Sequence, residues 1–232
     1  MSAAPGRPTL EIAAFDPVSA LAAAAAGADR LELCRDAAAG GLTPPLAWVE
    51  EAAQAGVPVV AMVRPHARGW TFAAGEHAAM RAEAAAALAA GAAAVAWGAL
   101  RPAGDFDADA LRRLADAVGP DRVVVHRAFD HARDLDRALD ALLAAGVARV
   151  LTGGGPGPAL GNADRLARLV RRAGDALTVL PGGGVRAATV AELVRRTGAL
   201  EVHSGARAPD GTVDPGEVRR LRAALDGRPA PR

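Results

Sequence analysis

Two rhythms of apolar and polar positions take turns along this chain. Ala/Leu-rich stretches with helical spacing end at a glycine, and a short run rich in β-branched residues follows. The phrase recurs as Gly27-Ala-Asp-Arg-Leu-Glu-Leu, Gly56-Val-Pro-Val-Val-Ala-Met-Val, Gly91-Ala-Ala-Ala-Val-Ala-Trp, Gly146-Val-Ala-Arg-Val-Leu-Thr and Gly198-Ala-Leu-Glu-Val-His-Ser. Glycine there suits the left-handed residue that closes a helix. Strands are predicted over Thr9–Ala13, Arg30–Cys34, Val57–Val63, Ala94–Trp97, Val123–His126, Arg149–Thr152, Thr178–Leu180 and Leu200–His203. One helix-sized segment separates each strand from the next, the mark of parallel βαβ units. The pattern predicts an α/β fold, a closed parallel eight-stranded (β/α)8 TIM barrel, as one domain over residues 1–232 with tails at 1–8 and 227–232. An open doubly wound sheet would carry a Gly-rich fingerprint after its first strand, where Phe15-Asp16-Pro17-Val18-Ser19 stands instead.

Side chains alternate between the two faces of a strand, so each run can be phased. With Leu10, Ile12, Leu31 and Leu33 facing the helices, Glu11, Arg30, Glu32 and Cys34 point into the barrel. The same parity turns Val60, Met62, Arg64, Val124, His126, Glu201 and His203 inward. Barrel interiors are normally filled by branched apolar residues, and a carboxylate without a partner is expensive to bury. Glu11, Glu32 and Glu201 therefore need cationic partners, for which Arg30, Arg64 and Arg127 are the candidates. Early in a strand such pairs suit a structural ion network, as for Glu11 and Glu201. At strand ends, where these barrels place their chemistry, stand Cys34, Arg64, His126, Thr152 and His203.

Two segments add chemistry. His126-Arg-Ala-Phe-Asp130 holds an imidazole, a guanidinium and a carboxylate, with Asp130 able to orient His126, pair with Arg127 or cap the next helix. Pro181-Gly182-Gly183-Gly184-Val185-Arg186 follows strand seven and opens a helix, and Ser204-Gly205-Ala206 follows strand eight; these two loops are the usual phosphate site of the fold. Gly182, Gly183, Gly184, Arg186 and Ser204 are the candidate phosphate-binding residues, with a tight turn as the plainer alternative. The long segment from Pro65 to Gly75 is a candidate lid, with His66 solvated, and His77 and His131 carry no role.

Composition narrows the field. The formal net charge is +1 with basic residues scattered, which excludes a nucleic-acid footprint. All 27 basic residues are arginine and tyrosine is absent, a pattern of GC-rich coding. The single cysteine excludes an internal disulfide and suits a reducing compartment. Residues 1–10 lack the apolar core of a signal peptide, and no run is long enough to span a bilayer. A cytoplasmic protein with no membrane partner is expected.

Ala28-Asp-Arg-Leu-Glu-Leu-Cys34, Gly40-Gly-Leu-Thr-Pro44, Val63-Arg-Pro65, His126-Arg-Ala-Phe-Asp130, Val150-Leu-Thr152, Gly182-Gly-Gly-Val-Arg186 and Glu201-Val-His-Ser204 resemble, in order and over almost the whole chain, the CutC family of copper homeostasis proteins. The resemblance implies a TIM barrel, a cytoplasmic location, a homodimer or homotetramer, and copper handling with Cu(I) binding. The chain departs from the family's pattern at Ala103-Gly104, Gly153 and Gly205. Cu(I) prefers thiolate and thioether donors, which makes Cys34 the candidate ligand, with Met62 one strand away. Two functions follow. One is copper homeostasis with copper bound at Cys34. The other is an enzyme of lyase, isomerase or aldolase type acting on a small phosphorylated metabolite, in which Arg64 and the 182–186 loop hold the anion and Glu32 and His126 move protons, within a catalytic set of Glu11, Glu32, Arg64, His126, Asp130 and His203.

Overall fold

A computed structural model describes residues 7–227 of the chain. Eight strands alternate with eight α-helices. The strands are β1 (Thr9–Ala14), β2 (Arg30–Leu33), β3 (Val59–Met62), β4 (Ala94–Trp97), β5 (Val123–Val125), β6 (Arg149–Thr152), β7 (Thr178–Pro181) and β8 (Glu201–Ser204). The helices are α1 (Pro17–Ala25), α2 (Leu46–Ala52), α3 (Ala74–Ala89), α4 (Ala108–Val118), α5 (Leu135–Ala145), α6 (Ala163–Ala173), α7 (Ala187–Thr197) and α8 (Pro215–Leu225). Parallel ladders run in the order β7-β6-β5-β4-β3-β2-β1-β8, the topology of a TIM barrel.

All eight predicted strands form; Ala94–Trp97 and Arg149–Thr152 keep their predicted bounds and the other six shift at one end or both. The third starts at Val59, because Pro58 has no N–H to give a ladder. The fifth stops at Val125, because His126 leaves the strand to cap the turn over Arg127–His131 through Nδ1, which accepts from Ala128 N at 3.2 Å. The ring is not fully closed by ladders: β7 and β8 lie side by side without backbone pairing. Ser204 Oγ bridges this seam by donating to Val185 O at 2.7 Å.

Parity along the strands creates two cores. Leu10, Ile12, Leu31, Leu33, Val59, Ala61, Val95, Trp97, Val123, Val125, Val150 and Val202 belong to the large apolar layer between strands and helices. A small apolar cluster inside the barrel holds Cys34, Val60, Met62, Ala94, Ala96 and Val124, with Phe15 against it. The rest of the interior is ionic. Helix starts are fixed by side-chain caps: Asp16, Asp107, Asp134 and Asp214 each accept from a backbone N–H of the first turn. Gly146 and Gly198 close α5 and α7 with φ of 66° and 70°, a conformation that penalises any residue with a Cβ.

Of the expected tails, residues 1–6 and 228–232 lie outside the described residues. Arg7 is tied down by Asp29 at 3.1 Å and Asp226 at 3.2 Å, and Pro8 O accepts from Arg222 at 3.1 Å. No described helix is long and apolar enough to cross a membrane.

Candidate functional site

The lower tier of the barrel interior is a closed ion network. The register sets Glu11 beside Arg30 on one side and His203 on the other. Arg30 Nε donates to Glu11 Oε2 and Arg30 Nη2 to Glu201 Oε2, both at 2.5 Å. Arg149 Nε adds a bond to Glu201 Oε2 at 2.9 Å. Glu11 Oε1 meets His203 Nδ1 at 2.7 Å. Burial alone would raise the Glu11 pKa, but the Arg30 charge and the His203 hydrogen bond outweigh it and hold Glu11 at about 2. An ionised Glu11 makes His203 Nδ1 the donor. Burial disfavours the His203 cation, yet the charge of Glu32 and the bond to Glu11 raise its pKa above the usual 6.5. The sequence offered Arg64 and Arg127 as partners for these glutamates, and neither fills that role. Arg149, in register with Val124 on the opposite wall from β1, does so instead.

The upper tier is unlike this. Glu32 is 5% exposed, its Oε2 accepts from the Cys34 thiol at 3.7 Å, and Oε1 has no partner among the described residues. Its other neighbour is His203 Nε2, 3.9 Å from Oε2. Burial, with the nearby Glu11 charge, raises the Glu32 pKa despite His203 and Arg30. His126 is 2% exposed and its Nε2 is likewise unpartnered. Because Nδ1 accepts from Ala128 N, Nε2 carries the proton. Burial and then the Arg64 charge push its pKa down to about 3, so it is neutral at pH 7. A neutral imidazole in this tautomer presents Nε2–H as a hydrogen-bond donor to the cavity. Among the described residues Arg64 has no carboxylate partner; Nη1 donates to Ala39 O at 2.9 Å, the guanidinium lies 4.1 Å over the Trp70 ring, and Nε is buried without an acceptor.

Asp130 orients neither His126 nor a helix. It accepts from Arg127 Nε at 2.8 Å, from Gly153 N at 2.9 Å, from Gly155 N at 3.2 Å and from Thr152 Oγ1. It thereby fixes the loop after β6 and aims Arg127 at the loop after β7, where a Cβ on Gly183 would stand 3.3 Å from Arg127 Nη1. Gly183 needs its freedom, with φ of 108°. Among the described residues no acceptor is bonded to the N–H of Gly183, Gly184 or Val185. Of the other three expected phosphate ligands, Arg186 Nη1 donates to Arg207 O at 2.9 Å, and Ser204 and Gly182 are engaged within the barrel wall. Ser204 Oγ is engaged by Val185 O and by Ala206 N, and Gly182 N donates to Thr152 O.

These residues surround one cavity of about 280 Å³ at the carboxyl ends of the strands. Glu32, Arg64, His126, His203, Gly183, Gly184 and Arg186 line it, whereas Glu11, Asp130, Gly182, Ser204 and Cys34 stand behind its wall. Sequence reasoning missed three contributors. Trp70 seats itself against Arg64 and His126, its ring 5.0 Å from the imidazole, and Leu100 N bonds Trp70 O at 2.8 Å, so the segment read as a lid is anchored. His66, expected in solvent, pairs with Glu76 at 2.8 Å. Gly98 gives His126 its space, since a Cβ there would lie 2.8 Å from Nδ1. Arg207 lines the cavity and stacks on Phe15 at 4.2 Å. An aromatic in a long loop and an arginine just past strand eight were the available signals.

One oxygen each of Glu11 and Glu32 and one nitrogen of His203 lie within 4.8 Å of one another, a group that could hold a cation. The donors are carboxylate and imidazole, which suit divalent ions rather than Cu(I). Cys34 is 1% exposed, and burial followed by the Glu32 charge raises its pKa well above 9.0, so it stays a thiol. The residues present do not fit Cu(I).

The CutC family model matches residues 9–208. A relative named family protein CutC in Caulobacter vibrioides is 40% identical over 209 residues, covering 90% of this chain and 85% of its own. One of the same name in Mesorhizobium japonicum is 42% identical over 200 residues, covering 86% and 78%. A Streptococcus agalactiae crystal structure, provisionally named a copper homeostasis protein CutC, superposes with a TM-score of 0.80 at 27% identity, covering 85% of this chain and 98% of that one. Phosphoribosylanthranilate isomerase from Thermotoga maritima, with a TM-score of 0.63, 15% identity and coverage of 95% and 99%, shares the fold alone. The barrel, the ordered motifs and these matches agree, and this chain belongs to the CutC family.

Proposed function

We propose that this protein is an acid–base enzyme acting on a small phosphorylated metabolite at the mouth of its barrel. The observation that carries the reading is Glu32: a buried carboxyl with one oxygen unpartnered among the described residues, its pKa raised, on the same cavity as the Gly183–Gly184 loop and four arginines. A carboxyl tuned upwards is a stronger base than a free one and suited to take and return a proton. His203, tethered by Glu11, stands where it can exchange that proton with Glu32. Backbone N–H groups at a helix start and arginine side chains favour an anion. With no lysine in the chain, Schiff-base chemistry is closed to it. Phosphorylated metabolites incubated in D2O and followed by NMR give the test. Solvent deuterium should enter a carbon position with the wild type and not with Glu32→Gln; equal incorporation by both would overturn the role of Glu32.

Copper handling is the second reading, favoured by the name of the Streptococcus agalactiae structure alone, since the donors present suit Cu(I) poorly. In it Cys34 is the Cu(I) ligand and the protein acts in the cytoplasm as a homo-oligomer. Cu(I) titration against a competing chelator should then weaken in Cys34→Ala, and equal affinities would remove Cys34 as a ligand.

A further inference from the structure

The mouth cavity has two polar ends that face each other. In the ladder order, β3 and β7 are four strands apart in a ring of eight, which sets them on opposite sides of the barrel. The loop after β7 brings the N–H groups of Gly183 and Gly184, with Arg127 from below and Arg186 and Arg207 beside it. The segment after β3 brings Arg64, so Arg64 and the glycine loop cannot clasp one small anion between them. Arg64 has a different companion. Its guanidinium and the His126 imidazole both pack on Trp70, at 4.1 Å and 5.0 Å, and the Arg64 charge is felt at His126. Arg64 is 6% exposed and His126 2%, yet Arg64 Nε and His126 Nε2 have no acceptor. A buried donor left without an acceptor costs roughly 1–3 kcal/mol. Two of them on one wall of a cavity call for an oxygen that arrives with the ligand.

We propose that Arg64, His126 and Trp70 form a second subsite that takes a carbonyl or carboxylate oxygen of the same molecule whose phosphate lies at Gly183–Gly184. The proposal rests on the phosphate-binding reading above. It makes the substrate a short phosphorylated oxo compound or acid, in keeping with a cavity of about 280 Å³. It also supplies the chemistry that Glu32 needs. Glu32 takes a proton from the carbon next to the carbonyl, the C–H electron pair becomes a C=C bond, and the carbonyl π pair moves onto oxygen. His126 Nε2–H and Arg64 hold that oxygen, the part a lysine Schiff base would otherwise play. Return of the proton from Glu32 to the same carbon restores the carbonyl; where that carbon carries a hydroxyl, the hydroxyl proton passes to the enolate oxygen, its own oxygen becomes the carbonyl, and Glu32 returns its proton to the former carbonyl carbon, with no outside oxidant or reductant.

Calorimetric titration with inorganic phosphate, glycolate and 2-phosphoglycolate tests this. Charge-assisted hydrogen bonds at the second subsite, at about 1.5–3 kcal/mol, predict that 2-phosphoglycolate binds roughly 10–100-fold tighter than phosphate. Arg64→Met and His126→Phe should each erase most of that advantage while leaving the phosphate affinity unchanged, which also shows that the variant is folded. Phosphate binding with no advantage for 2-phosphoglycolate, or an advantage that survives both substitutions, overturns the second subsite and leaves the phosphate reading intact. Failure of phosphate itself to bind overturns the phosphate reading, and this proposal with it.

Discussion

The interior of this barrel holds two groups of ionisable side chains, both largely withdrawn from water and differently satisfied. In the lower tier Glu11, Arg30, Glu201 and Arg149 face one another, and every charge has an opposite within 3 Å or so. In the upper tier Glu32, Arg64 and His126 each keep one buried polar atom without a partner. The first group repays its own desolvation; the second does not, and its cost is concentrated around one cavity. Burial of a charged residue is therefore uninformative about function until its partners are counted. Local rules are broken in natural proteins chiefly where a site must be ready for something absent.

The sharpest break between the tiers is in stability. Arg30→Met leaves Glu11 and Glu201 buried beside a lost cation, and should cost about 3–5 kcal/mol in urea unfolding. Arg64→Met strips no carboxylate of its partner and should cost about 1–2 kcal/mol, for its backbone hydrogen bonds and its stacking on Trp70. Equal losses would erase the distinction drawn here.

A smaller effect is expected at Gly98, where an added methyl would meet His126 at 2.8 Å and Ala128 at 2.9 Å. Gly98→Ala should destabilise by about 1–3 kcal/mol through overpacking. It should also disturb the neutral imidazole without touching the lower tier. Unchanged melting would show that the His126 pocket is looser than described.

The least effect is a slope. His126 falls from 6.5 unfolded to about 3 folded, so the unfolded chain binds the extra proton and stability drops as pH falls from 6.5. Glu11, depressed from 4.5 to about 2, acts in the same sense but only below about 4.5. His203, raised, adds stability below 6.5 that is lost as pH rises through its folded value, and it is present in both proteins compared. Between pH 6.5 and 4.5 the wild type should therefore lose up to about 1.4 kcal/mol per pH unit more than His126→Gln. Parallel slopes would mean that His126 titrates normally.

Much of this was legible in the chain. The alternation of Gly-closed helices with short apolar runs specified eight strands and their order, and period-2 parity turned Glu11, Glu32, Arg64, His126 and His203 to one interior. What parity does not carry is height and pairing. Glu11 and Glu32 share a face, yet one lies beside Arg30 and the other just out of its reach, a matter of register between β1, β2 and β8. Ser204 and Gly182 fell beside a glycine-rich loop and looked like anion ligands. Ser204 is consumed in tying β8 to the loop after β7, a seam that no sequence pattern marks, and Gly182 in extending the β6–β7 pairing. Trp70 and Gly98 owe their importance to a contact with His126 from elements distant in sequence.

Imidazole nitrogen NMR from pH 4 to 9, with His126→Gln and His203→Gln for assignment, tests the division between the tiers most directly. The account predicts a His126 that stays neutral with its proton on Nε2 throughout, and a His203 that titrates above 6.5 with Nδ1–H bonded to Glu11. A His126 that gains a proton near 6.5, or a His203 that loses its own below it, would contradict the account.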